Sequence, residues 1–436
     1  MSEALENQLH TNGSLPPALV IHGGPIALSV ARSLGRSGIR VFAIDQPDSY
    51  ARYSRFCEWI PLRYGSEPQK IWLDWLTGPG LKKLRGAVIL PCSDQMLEFI
   101  AKYRSVLKND YLMFEADDDV LLSMLDKQKS YALAKKAGVP TPEIWSAHTR
   151  EDILNVMEQV TYPCALKPRV SHEFIKHFPN KLLVIRDARE MMDTFNKVQA
   201  LHLEMLVTEI IPGSDDAYCS YYSYLDQTGV PLFHFTKRKL RQYPNNFGLG
   251  TYHITDWNPE VAEMGLRFLK GVGYRGVGNV EFKRDPRDGQ LKLIECNARL
   301  TLVTEMLTLS GINLPLFIYN RLTGRPLPPV NDYRKGLRVI RPLVDILAFR
   351  ISHRRGEMSV WQWIRSILHR QHFLYFRWTD PMPSLVRIYP LLQKQMKLRV
   401  LARVIRQGLQ KVGMVVGIIF STVNKTLYEI SDRYFS

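Results

Sequence analysis

The stretch VGNVEFKRDPRDGQLKLIECN, residues 277–297, reads as two alternating runs joined by Asp285–Gly289, a strong loop signal between strands. Residues two apart in a strand share a face. Glu295 and Asn297 therefore aim a carboxylate and an amide oxygen at one spot, where the apolar run Leu291–Ile294 stops. Folding the hairpin sets Glu281 opposite Glu295, or one diagonal step from it. Like charges facing across a strand pair are destabilising, so a tolerated pair of carboxylates calls for a cation between them. Two carboxylates and an amide suit Mg²⁺, which keeps waters and takes its remaining ligands from substrate phosphates. The plainer alternative is a pair of solvated surface acids.

Composition bounds what surrounds this hairpin. A chain of 436 residues has room for about two to four domains. Its 45% hydrophobic and 11% aromatic content is that of a globular protein with substantial cores. The five cysteines (Cys57, Cys92, Cys164, Cys219, Cys296) are scattered and never form C-x-x-C, which argues against a disulfide framework or a zinc knuckle. Residues 1–17 read as a polar, loose leader without signal-peptide pattern. No uncharged apolar stretch approaches the ~20 residues of a membrane span. The expected location is the cytosol. Residues 331–436 hold 19 Lys and Arg against 6 Asp and Glu, a net +13 of the chain's +16. The basic excess thus belongs to one segment, and nucleic acid is not an expected partner.

Residues 17–48 read as a β-α-β unit: the run Ala18–Ile21, a Gly23-Gly24-Pro25 turn, a helix-period stretch and a second strand ending at Asp45. G-G-P is not G-x-G-x-x-G, so a dinucleotide fingerprint is absent and an oxidoreductase is disfavoured. With a further strand in AVILPCSDQ (87–95), residues 18–120 form a small open α/β domain. From Asp126 the texture changes to a helix with a Gly138 stop, a short strand carrying Lys167, two strands around Pro212-Gly213, and the hairpin.

The order and spacing of these pieces resembles the ATP-grasp superfamily, in its carboxylate–amine ligase branch, which includes D-aspartate ligase-like members. The motifs are the helix start at Lys127, ALKP at Lys167, TEIIPGSDD (208–216), TKRKLRQYP (236–244), VEFKRD (280–285) and IECNAR (294–299). The likeness runs over about residues 18–327. It implies a Rossmann-like pre-ATP-grasp domain, a two-part ATP-grasp domain over 121–330, and phosphoryl transfer from ATP onto a carboxylate, followed by attack of an amine or thiol. It further implies that Lys127 and Lys167 reach the nucleotide phosphates, that Glu209 takes the adenine amino group with the Ile211 backbone on the ring edge, and that Asp216 or Asp215 holds the ribose. Lys239 and Arg241 would approach the γ-phosphate or the activated substrate. Glu281, Glu295 and Asn297 would hold one or two Mg²⁺ (Mn²⁺ substituting), and Arg299 would stabilise the acyl-phosphate oxyanion. The sequence departs from the pattern at Cys296 and Ala298, where isoleucine and proline are usual, and in RVSHEFIKHFPNK (169–181), which has no glycine where a phosphate-covering loop is common; Ser171 and His172 are candidate substitute donors. The rival reading this leaves is a nucleotide-binding pseudo-ligase with a scaffold or regulatory role.

Residues 331–436 are expected to form a separate, mostly helical basic appendage. A stripe from Leu398 to Val416, flanked by Arg399, Arg403 and Arg406, leaves open a peripheral membrane contact through residues 391–420 on the inner face of a membrane, or packing against the core or a second subunit in a homodimer. His369 and His372 read as ordinary histidines, and Trp361, Trp363 and Trp378 as packing of a small helical domain.

Overall fold

The structure, a computed structural model, describes residues 15–62, 65, 67–168, 182–201, 205–330 and 332–387. Three sheets organise it. The first is parallel, with strands β1 (Ala18–Ile21), β2 (Val41–Ile44), β3 (Glu58–Ile60) and β4 (Val88–Ile89) in the order β3-β2-β1-β4. β1 and β2 are buried on both faces, as a parallel sheet covered by helices requires. In the turn after β1, a Cβ on Gly23 would come within 2.6 Å of Val20 Cγ1, so only glycine lets helix Gly24–Arg36 start so close to the strand. The Asp45 carboxylate is buried and accepts from Gly24 N (2.6 Å), Gln46 N (2.8 Å) and Ser49 Oγ (2.8 Å), so it ties the turn down from inside. The end of the expected leader is held as well. Pro16 O accepts from Tyr319 Oη at 2.6 Å, and Pro17 O accepts from Val88 N at 2.9 Å.

The second sheet is antiparallel, with β5 (Ile144–Ser146), β6 (Cys164–Pro168), β7 (Leu183–Ile185) and β8 (Met205–Glu209) in the order β5-β8-β6-β7. Helices Arg150–Gln159 and Ala188–Gln199 cover its apolar face with Ile153, Val156, Met191 and Phe195. The 169–181 segment between β6 and β7 lies outside the described residues.

The third sheet contains β9 (Tyr218–Leu225), β10 (Phe235–Tyr243), β11 (Leu249–Thr255), β12 (Gly276–Arg284), β13 (Leu291–Asn297), β14 (Arg338–Ile340) and β15 (Gln371–Phe373), ordered β13-β12-β9-β10-β11-β14-β15. Neighbours are antiparallel except β14 and β15. Along β9 and β12 alternate residues separate two environments. Tyr221, Leu225, Val280 and Phe282 sit in an apolar core with Phe268 and Leu269 of helix Pro259–Gly271 and Tyr131 of helix Lys127–Lys136. The opposite face carries Ser220, Asn279 and Glu281.

The described part of the C-terminal region corrects one expectation. Residues 332–387 do contain helices, Pro342–Arg354 and Val360–Ile367, but they are not a separate appendage. They add β14 and β15 to the large sheet. Asp380, 1% exposed, accepts from Arg32 Nε at 2.9 Å and Ser54 Oγ at 2.8 Å in the first domain. The physical reason is that the two short strands and two buried ion pairs, Arg32–Asp380 and Arg241–Asp345, tie the region to the rest of the protein. The stripe at 391–420 lies outside the described residues, and among those described no helix is long and apolar enough to cross a membrane.

Candidate active site

The third sheet's polar face is a set of registered rows. Glu295 on β13 stands opposite Glu281 on β12, Glu281 opposite Ser220 on β9, Ser220 opposite Lys237 on β10, and Lys237 opposite Thr255 on β11. One pair along, Asn297 faces Asn279, and Asn279 faces Tyr222. Cross-strand partners share a face, so the two carboxylates and both asparagines lie together at one end of the row. Glu295 is exposed and donates nothing; its Oε1 accepts from Asn297 Nδ2 at 3.1 Å.

Lysines surround this end. Lys239 Nζ lies 3.1 Å from Glu281 Oε1 and 3.0 Å from Gln242 Oε1, over the Tyr218 ring at 4.2 Å. Asp126 caps helix Lys127–Lys136, accepting from Gln128 N (2.9 Å) and Lys129 N (3.1 Å), which fixes Lys127 at the first helical position. Tyr131 Oη of that helix donates to Ile294 O at 2.8 Å, beside Glu295. Lys167, on β6 of the second sheet, is pushed down to about 8 by burial and by the Lys127 charge, with Glu295 pulling the other way. Lys127 and Glu295 are thus both near enough to Lys167 to act on its charge.

The loop after β8 is fastened to the large sheet by Lys283, whose Nζ donates to Ile211 O (2.8 Å) and Gly213 O (3.0 Å). Burial holds Lys283 near 8. Asp215 spends its carboxylate on Gln242 N, Gln242 Nε2 and Asn246 N, at 3.1, 2.8 and 2.8 Å. Asp216 is exposed and accepts only from Ser214 Oγ at 2.5 Å, so of the two candidates Asp216 is the one turned outward. Glu209, at the end of β8, pairs with Arg287 and accepts from Glu143 N at 3.1 Å. Arg299 Nε donates to Asp94 Oδ1 at 2.6 Å, a bridge from the site to the helix Asp94–Leu107 of the first domain.

Arg241 does not belong to this set. Bulges between Lys239 and Gln242 place it opposite Tyr252, whereas Lys239 stands opposite His253, so Arg241 leaves the polar face. Its guanidinium forks onto the fully buried Asp345 (Nε–Oδ1 2.8 Å, Nη2–Oδ2 2.7 Å) and reaches Ser366 Oγ at 2.8 Å. It is a structural ion pair, which corrects the phosphate-contact expectation.

Among the described residues, polar atoms on the face that are buried without hydrogen-bond partners include Ser220 Oγ, Asn279 Oδ1 and His253 Nδ1. Asn279 was findable by the two-residue rule from Glu281; Ser220 and His253 needed the strand order. Among the described residues no group of three or more His, Cys, Asp or Glu could hold a metal. The donor set that exists is two facing carboxylates, the Asn297 amide and the orphaned Asn279 oxygen, all hard oxygen donors, and it fits Mg²⁺ completed by waters and phosphate.

The arrangement of a small and a large antiparallel sheet with an open parallel one is shared with known proteins. The fold is that of the ATP-grasp enzymes. No family model matches the chain. D-aspartate ligase of Enterococcus faecium is 26% identical over 257 residues, 56% of this chain and 61% of that protein, so the chain spans about three-fifths of that relative's length. Among solved structures, the biotin carboxylase domain of Hydrogenobacter thermophilus 2-oxoglutarate carboxylase, in complex with MgADP, ADP and bicarbonate, has a TM-score of 0.58 at 18% identity, covering 74% of each chain. L-amino acid ligase from Bacillus licheniformis has a TM-score of 0.55 at 15% identity, covering 75% of this chain and 80% of its own.

Proposed function

We propose that the protein is an ATP-dependent carboxylate–amine ligase that activates an acid as its acyl phosphate and passes the acyl group to an amine (or a thiol). The observation that carries this reading is the Glu281–Glu295 pair standing face to face beside Asn297, with Lys239, Lys167 and Lys127 around it. Glu281, Glu295, Asn297 and Asn279 would hold Mg²⁺, which supplies charge neutralisation at the phosphates, with Mn²⁺ as a substitute. Lys127 and Lys167 act as point charges that bind and orient the phosphates. The Ile211–Gly213 loop, fastened by Lys283, and Glu209 frame the adenine, with Asp216 on the ribose. Lys239 holds Glu281 in place and stands ready for the transferred phosphoryl group, and Arg299 faces developing oxyanion charge. Such chemistry depends on positioning and charge, not on a protein nucleophile.

The similarity to D-aspartate ligase favours an amino acid among the substrates, and the dimer in the MgADP-bound neighbour makes a homodimer the oligomer to look for. The test is ADP release by pure protein with MgATP against paired pools of small acids and amines. Release that needs both partners supports the ligase. Nucleotide binding without release for any pair returns the reading to a pseudo-ligase.

A further inference from the structure

Three tryptophans of the C-terminal region part company. Trp363 packs as expected: its ring stacks on Phe349 (4.8 Å between centroids) and its Nε1 donates to the buried Asp345 at 3.0 Å. Trp361 and Trp378 are 67% and 86% exposed. Helix Val360–Ile367 is held to the large sheet by one side, where Tyr252 Oη donates to Ser366 O at 2.7 Å. Its other side presents Trp361, Arg365 and, just past its end, Leu368, at i, i+4 and i+7 over about 10 Å of axis, all exposed. The apolar surface continues onto β15, the last strand of the sheet. Gln371 Nε2 reaches Ile367 O at 3.1 Å, and Phe373, two residues on, shares that face. Phe373 meets the Phe376 ring at 6.4 Å, and Phe376 carries Trp378 edge-on at 4.8 Å. Residues 358–378 contain no Asp or Glu. Of their arginines, Arg377 is spent on Glu305, whereas Arg365 and Arg370 are exposed and form no ion pair with any described residue. Exposed tryptophans, a leucine and unpaired arginines on one face do little for folding and form a patch of the kind that marks an interaction site.

We propose that this face docks peripherally on an anionic lipid surface, with Trp361, Leu368, Phe373 and Trp378 at the boundary of headgroups and acyl chains and Arg365 and Arg370 on the lipid phosphates. Aromatic rings settle at that boundary, and basic side chains are drawn to negatively charged headgroups. Charge decides between this partner and the others that could cover an apolar patch. Residues 388–436 hold 8 Lys and Arg against 2 Asp and Glu, so the chain's own tail would bring further positive charge onto Arg365 and Arg370. A second copy related by a two-fold axis would set the same arginines against each other. Nucleic acid would supply counter-charge and stack on the tryptophans, but it gains nothing from Leu368, which is 69% exposed. An anionic bilayer answers both the charge and the aliphatic surface. No residue of this face belongs to the candidate active site, so lipid binding and ligase activity stand or fall separately.

Flotation of the full chain with phosphatidylcholine vesicles, with and without about 30% phosphatidylserine, tests this over a salt series. The parent should float with the phosphatidylserine vesicles at low salt, stay behind with phosphatidylcholine alone, and be released as salt screens the attraction. Trp361→Gln/Trp378→Gln should weaken binding to the anionic vesicles by at least about tenfold. Arg365→Gln/Arg370→Gln should weaken it roughly thirty-fold, the scale set by two basic residues at such a surface, and flatten its salt dependence. All four side chains are exposed, so both variants should melt with the parent, which separates loss of the docking face from loss of the fold. A parent that does not float with phosphatidylserine vesicles at low salt would overturn the proposal. Binding that survives both double substitutions would overturn it too, by placing the lipid contact elsewhere in the chain. So would a parent that, without floating, binds single-stranded DNA or forms a dimer that Trp361→Gln/Trp378→Gln dissociates, each outcome naming the other partner.

Discussion

At the scale of single residues, like charges stand close together in the proposed site: Glu281 faces Glu295, and Lys127 lowers Lys167. Glu295 is exposed and faces Glu281 across the β12–β13 ladder, and it also favours the charges on Lys167 and Arg299, so Glu295→Gln removes repulsion and attraction together and should shift the melting temperature little. The same change should lower Mg-dependent ATP turnover by at least about 100-fold, the scale seen when one electrostatic contact to a transition state is deleted. Steady-state ADP release, set beside a thermal melt, checks both halves, and turnover within a few-fold of the parent would remove Glu295 from the site. Lys167 gives a second expectation. Burial, the Lys127 charge and the opposing pull of Glu295 leave it near 8, so it is protonated at pH 7 and loses its proton as the pH rises through 8. Phosphate binding needs the charged form, so nucleotide affinity should fall from pH 7 to pH 9. Lys283 is also lowered to about 8 by burial while it holds the Ile211–Gly213 loop, and it adds to the fall. Lys167→Met should bind nucleotide more weakly at pH 7 and show a shallower decline, measured by titration at each pH. The sign for stability is opposite. Between 8 and the ordinary lysine value of 10.5 the unfolded chain binds more protons than the folded one, so these lysines make the fold more stable as the pH rises through that window.

At the scale of elements, β10 does two jobs on either side of its bulges. Up to Lys239 it supplies the polar face, and after it Arg241 turns to Asp345 on helix Pro342–Arg354. Arg241→Met strands the Asp345 carboxylate, which also accepts from Thr251 Oγ1 and Trp363 Nε1, and should cost about 3–5 kcal/mol of stability. Adding Asp345→Leu should recover much of that loss. Urea unfolding of the two variants checks the pair, and an Arg241→Met protein with parent stability would show that the ion pair is not structural. The same strand shows where sequence reading succeeds and stops. The hairpin from Glu281 to Asn297 was legible because alternation and an Asp-Pro-Arg-Asp-Gly turn fix which residues face each other. Lys127 and Lys167 came from the family resemblance. Arg241 was misplaced because a bulge shifts a face by one residue with no marker in the letters around it. His253 and Ser220 were invisible because their meaning depends on β10 lying between β9 and β11, a matter of strand order. β14 and β15 escaped notice since three residues are too few to show a period of two.

At the scale of the whole molecule, the first domain and the C-terminal region are bolted together. Arg32 and Asp380 are 1% and 2% exposed at the side chain, and Arg32 also donates to Tyr375 O at 2.7 Å and Asp380 O at 2.7 Å. Asp380→Ala leaves a buried guanidinium without its carboxylate and should cost about 3–5 kcal/mol. Denaturant unfolding followed by circular dichroism measures it, and a loss below about 1 kcal/mol would mean that the region docks only loosely. The arrangement also carries Arg299 to Asp94, so the first domain reaches the cleft itself. The proposed ligase has a substrate carboxylate take a phosphoryl group beside Glu281 and Glu295. The direct measurement uses the acid substrate labelled with ¹⁸O in its carboxylate, turned over with MgATP and the amine. The ligase should release ADP and inorganic phosphate carrying one ¹⁸O from the acid; unlabelled phosphate, or AMP and pyrophosphate as products, would rule out an acyl phosphate.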